Sequence, residues 1–180
     1  MTVTVTPDEF AMVHFSSSEL TRITEDLVGK LGIEQAVEVV VNERTPMGTL
    51  QLRSLDPIVC YAESGALENP KRVRYLSPQG AAEAIGRLLL EARDRMTDGF
   101  GAPELGAVIP VPQRVAWDTY IVARLVRLGG RDQRQRRLFG FRNKHGFNDS
   151  SDRAFKRLWD AESLTWNEIA ELSDSLRSVR

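Results

Sequence analysis

The chain has 180 residues, 42% of them hydrophobic and 27% charged, with a formal net charge of −1; that composition fits an ordinary folded domain with a real core and excludes a disordered or fibrous chain. It contains no run of roughly 18 apolar residues of the kind that spans a bilayer, and the opening MTVTVTPDEF has neither the basic start nor the apolar stretch of a secretory signal. A cytoplasmic setting is therefore expected, with the lone Cys60, in the apolar run PIVCYA, reading as a core residue and not a nucleophile.

In chain order, the first predicted element is a helix. Ser16 and Glu19 stand at capping-box spacing, Phe15 and Leu20 at the staple positions, and Leu20, Ile23, Leu27 and Leu31 recur on one face before a stop at Gly32. From Ala36 the period changes to two: Val37, Val39 and Val41 alternate with Glu38, Val40 and Asn42, which predicts a strand. A turn through Glu43–Gly48 leads to a second strand, TLQLR, and Pro57 opens a third, IVCYAE, apolar enough to be central. Arg72, Val73, Arg74 and Tyr75 alternate as a short edge strand would.

The remainder reads as helix. Ser77-Pro78 is a cap followed by a first-turn proline, with Ile85, Leu88, Leu89, Ala92 and Met96 as the stripe. After a Gly/Pro-rich connection from Gly99 to Pro112, the segment Pro112–Leu128 is apolar nearly all round, which predicts a buried helix ended by Gly129-Gly130. A basic helix then runs to about Lys144, with His145-Gly146 as its stop. Asp149–Trp159 is another short helix, and Thr165 with Glu168 is a second capping box, stapled by Leu164 and Ile169, opening a last helix over Thr165–Ser178. The order predicts an α+β fold: an N-terminal helix, a three- or four-stranded sheet that is mainly antiparallel or mixed, and a helical C-terminal half of about five helices. A single domain over 1–180 is expected, with a division into a 1–98 αβ part and a 112–180 helical part as the alternative and the Gly99–Pro112 connection as its hinge.

Charge is distributed unevenly. Arg114 to Arg157 holds 12 of the 24 basic residues and 4 of the 25 acids, about +8, against about −9 in the rest. Such a block suits an anionic or acidic partner, or complements the chain's own acids. Arginine outnumbers lysine 20 to 4 throughout, so arginine identity says less than the clustering. At 100° per residue, Leu138 and Phe141 share the core side of the basic helix, Arg131, Arg134 and Arg142 fall on or near it, and Arg136, Arg137 and Lys144 point away. The candidate contact residues are Arg134, Arg136, Arg137, Arg142 and Lys144.

Catalytic and cofactor signatures are missing. With two histidines, His14 and His145, and no HExxH or Cys/His cluster, no metal site is expected. Gly99, Gly101 and Gly106 lack dinucleotide spacing, and no cofactor is expected. Acid–base candidates are Asp56, Glu63, Glu83 and Asp118; the last sits in an apolar helix, where pairing with Arg114 one turn earlier is the structural reading. RLFGFRNK matches the RNA-binding RNP1 pattern at Arg137, Phe139, Gly140 and Phe141 but departs at Leu138, Arg142 and Lys144, and stands in a predicted helix where RNP1 occupies a strand. Thr165–Leu172 fits a helix-turn-helix opening, but no recognition helix follows before Arg180. If Asp149–Trp159 and Thr165–Ser178 were the two helices instead, five acids between Asp160 and Asp174 would face phosphate.

The segments SLDPIVCYAESGALENPKR, PQRVAWDTYIVARL and RQRRLFGFRNKHGF together resemble a group of uncharacterised actinobacterial proteins, which implies a bacterial protein. The layout of one helix, three strands and a long helix is similar to that of minimal zincin-like metallopeptidases. In that likeness Ala81–Ala92 would hold HExxH; it has Glu83 and no histidine, which implies a fold without the metal. The expectation is a non-catalytic protein that binds another macromolecule, protein or nucleic acid, through the basic helix. A metal-free hydrolase relative is the alternative.

Overall fold

The computed structural model describes residues 2–176, and they form two compact units that divide between Met96 and Thr97. The first is built on a mixed four-stranded sheet. Strand β1 (Val3–Thr6) runs parallel to β2 (Val37–Asn42), β2 runs parallel to β4 (Ile58–Glu63), and β3 (Leu50–Leu55) is antiparallel to β4, giving the order β1-β2-β4-β3. The alternation in β2 and β4 buries Val37, Val39, Val41, Ile58, Cys60 and Ala62 on one face. Helices α1 (Ser17–Leu31) and α2 (Pro78–Met96) cover that face, packing on each other and on the strands, so this unit has two layers around one core.

Local chemistry sets the helix ends. Ser16 Oγ accepts the Glu19 N–H at 3.2 Å, and Gly32, at φ 63°, closes α1 in the left-handed conformation that a side chain would disfavour. Ser77 Oγ accepts the Gly80 N–H at 3.0 Å at the head of α2. Deep in α2, Glu91 and Arg95 form a salt bridge at 2.9 Å with both side chains 6% exposed.

One expectation about the sheet is corrected. The segment Arg72–Tyr75 does not edge the main sheet: β6 (Arg72–Leu76) pairs with β5 (Glu68–Asn69) in a separate two-stranded ribbon. The fourth strand is β1, written in the Val3 and Val5 alternation of TVTVT, and its partner β2 lies more than thirty residues further on.

The second unit is helical: α3 (Val111–Arg127), α4 (Arg134–His145), α5 (Asp149–Asp160) and α6 (Trp166–Ser175). As its all-round apolar pattern predicts, α3 is the central helix. Trp117, Ile121, Val122 and Leu125 are buried, and α4, α5 and α6 each pack against it. Thr165 and Glu168 make the full reciprocal capping box, and Leu164 and Ile169 are buried beside it. The predicted end of that helix at Ser178 lies outside the described residues. Tyr120 ties the α5–α6 connection to α3: its hydroxyl accepts the Leu164 N–H at 3.2 Å and donates to the Glu162 carbonyl at 3.5 Å. Among the described residues no helix is long and apolar enough to cross a membrane.

Candidate functional site

The inner side of α4 is fixed by its apolar residues. Phe141 is fully buried, stacked on His145 at 4.0 Å between ring centroids and edge-on to Phe155 of α5 at 5.8 Å. His145, also buried, has Nδ1 3.1 Å from the Phe141 carbonyl and Nε2 2.9 Å from Ser173 Oγ in α6. With the inner side held by α3, α5 and α6, the opposite arc of the helix is left to solvent. On a 100° wheel that arc runs Gln135, Phe139, Asn143, Arg136, Gly140, Lys144, spanning about 180°. All of these are exposed except Gly140, which is half-buried.

Two phenylalanines stand in water there. Phe139 is 59% exposed and Phe147 63%, and their rings meet edge to face at 5.9 Å. The turn after α4 brings them together. Gly146 adopts φ 105°, which a side chain would resist, and donates its N–H to the Arg142 carbonyl at 2.7 Å, and the next residue is Phe147. Sequence reasoning singled out the cations and missed this pair. The signal was available for Phe139, which lies 160° from Phe141 on the wheel; Phe147 depends on the turn.

The structure divides the basic block. Arg136 and Lys144 are exposed and, among the described residues, enter no salt bridge. Arg134, the first residue of α4, is exposed as well, although the wheel puts it on or near the core side; its charge, with those of Lys156 and Arg127, helps hold the Asp160 carboxyl below its ordinary value, the Lys156 hydrogen bond being the largest cause. Arg137, expected to point away, is half-buried.

Arg142, another candidate contact residue, is half-buried and already paired within its own unit. Its Nε and Nη2 donate to the two Asp152 oxygens at 2.7 and 2.6 Å, which holds the Asp152 carboxyl below the carboxylate range. Other cations of the block also serve the fold: Arg127 donates to the Trp159 and Ala161 carbonyls at 2.7 and 2.8 Å, and Arg124 lies buried over the Tyr120 ring at 3.9 Å.

A second cationic surface lies on the β5–β6 ribbon of the other unit, where Lys71, Arg72, Val73 and Arg74 are all exposed. Arg72 stacks over Tyr75 at 3.4 Å, and Tyr75 in turn contacts His14 at 4.5 Å.

The acid–base candidates belong to different elements. Asp56 is exposed in the β3–β4 turn, Glu63 ends β4 and Glu83 lies in α2. Asp118 belongs to the other unit and pairs with Arg114 at 3.6 Å, one turn back on α3. Cys60 is buried, and burial, reinforced by the Glu91 charge, pushes its thiol up to about 12. Among the described residues no three His, Cys, Asp or Glu side chains could together hold a metal ion. The segment that partly matches RNP1 is helical, not a strand. No protein-family model, curated protein or solved structure matches this chain.

Proposed function

We propose that this is a non-catalytic protein that binds another macromolecule through the outward arc of α4. The observation that carries the reading is the exposed Phe139–Phe147 pair beside Arg136 and Lys144. An apolar ring left wet stabilises an interface when it is covered, by about 2 kcal/mol for a full burial. Aromatic anchors rimmed by cations are also the usual composition of energetically dominant contacts. A cytoplasmic location fits the buried, unpaired Cys60, and the three segments that resemble actinobacterial proteins suggest a bacterial source.

The test is a photo-crosslinking residue placed at Phe139 or, as a control, at Lys30 on α1 of the other unit. The reading expects partner adducts at 139 alone, lost when Arg136→Glu and Lys144→Glu are added without a change in melting temperature. Equal adducts at both positions, or adducts that survive the reversal, would sink it.

A second reading, a metal-free relative of zincin-like hydrolases, is favoured by the order of the first unit. Helix α1, strands β2 to β4 and the long α2 follow in the similar sequence, with Glu83 on α2. Protein hydrolysis that Glu83→Gln abolishes would support it over the binding reading.

A further inference from the structure

Resting on the α4-face reading, we propose that the partner is a single-stranded nucleic acid, whose bases stack on Phe139 and Phe147 while Arg136 and Lys144 take its phosphates. With more than half of each phenylalanine's surface in water and the two rings inclined at 71°, the pair offers π faces in two directions. Every base has a π face, so such a platform accepts bases without regard to sequence. Arg136 and Lys144 lie eight residues apart, about 12 Å along the helix, which places their charges over different phosphates of one strand. Flanking Phe139 on the arc stand the exposed amides of Gln135 and Asn143, able to donate to and accept from unpaired base edges.

Other partners account for less of the arc. A duplex keeps its bases stacked inside and could use the two cations but not the rings. An acidic polypeptide would likewise satisfy Arg136 and Lys144 and leave the rings wet unless it also brought apolar residues. A lipid surface calls for a continuous apolar face, whereas the middle of this arc is Asn143 and Arg136. The neighbouring acid Asp152 is already bound by Arg142 and Asp160 by Lys156, so neither faces a strand with its charge unopposed.

The experiment uses the full chain and fluorescence anisotropy with labelled oligo-uridine and oligo-thymidine, with a hairpin duplex, labelled polyglutamate and phosphatidylglycerol vesicles as the competing classes. The single strands should bind best. Phe139→Ala with Phe147→Ala should weaken them roughly tenfold or more, since one stacked base is worth ~1–3 kcal/mol. Arg136→Gln with Lys144→Gln should flatten the log–log salt dependence by about 1.4, two phosphates at ~0.7 each. Lys71→Gln with Arg74→Gln, which removes the same charge from the ribbon of the other unit, should leave binding as it was. Circular dichroism and melting confirm that each variant is folded.

Single-strand binding that ignores the phenylalanines but is lost with Arg136 and Lys144 overturns the nucleic-acid inference and leaves the α4 contact standing as a purely electrostatic one. Equal losses from the α4 and ribbon pairs overturn both. Preference for the duplex, for polyglutamate or for vesicles overturns the inference and names the partner class in its place, while an absence of single-strand binding at about 50 mM salt, where phosphate contacts are strongest, overturns it outright; in each of these cases the crosslinking test decides the α4 reading on its own.

Discussion

Asp152 gives both of its oxygens to one guanidinium, and that commitment holds the Arg142 side chain against α5. The same logic separates the cysteine from reactive chemistry. Cys60 is 1% exposed, and with its thiol raised to about 12 almost none of it is thiolate at neutral pH. We expect a disulfide reagent at pH 8 to modify Cys60 only as fast as the first unit opens, and in full once it is unfolded by denaturant. Immediate stoichiometric reaction with the native protein would contradict its burial against Glu91. At this scale the sequence told part of the story: Cys60 in PIVCYA and Asp118 beside Arg114 were readable, since each depends on near neighbours. Arg142's partner was not, because Asp152 sits on another helix and becomes adjacent only when α4 and α5 pack.

Among the elements, those with marked ends were legible. Ser16 before α1 and Thr165 before α6 each place a hydroxyl on an N–H three residues ahead, an interaction internal to a few residues and so visible in the string. Thr165→Ala removes one hydroxyl acceptor and half of the reciprocal box; it should cost about 1 kcal/mol, read by denaturant titration, and Thr165→Ser should restore most of it. If alanine is neutral, the box does not hold the start of α6. Pairing was harder to read than element type. The alternation in Arg72–Tyr75 predicts a strand but not its partner, which is β5 and not the main sheet. In TVTVT the alternation was present, but its partner arrives only after α1, so no turn signal marked it. On the candidate face, the helical wheel placed Arg136 and Lys144 outward correctly. It could not supply Phe147, whose approach to Phe139 follows the backbone turn at Gly146.

For the whole molecule, the division into two units has a measurable acid signature. Asp152, Asp160 and Glu168 all have carboxyls held below their ordinary values of 3.8, 3.8 and 4.5, by hydrogen bonds from Arg142, Lys156 and the Thr165 backbone respectively, and all three lie in the second unit. A depressed carboxylate stabilises the fold fully above its unfolded value and loses that contribution as pH falls through the folded one. The second unit should therefore weaken as pH drops below about 4.5. The three tryptophans, Trp117, Trp159 and Trp166, are all in that unit and the single cysteine is in the other, so each unit carries its own reporter. Acid titration should shift tryptophan emission to the red before Cys60 becomes accessible to a pyridyl disulfide; the reverse order would refute the assignment.

The clamp on the inner side of α4 bears on how fast and how cheaply its outer side can be used. Phe141, His145 and Ser173 lock that helix to its neighbours, so the contact proposed for α4 would start from a surface that is already ordered. Little chain entropy is then lost on contact. Association should be governed by diffusion and electrostatic steering, not by a folding step, and the residence time by how well the two wet rings are covered.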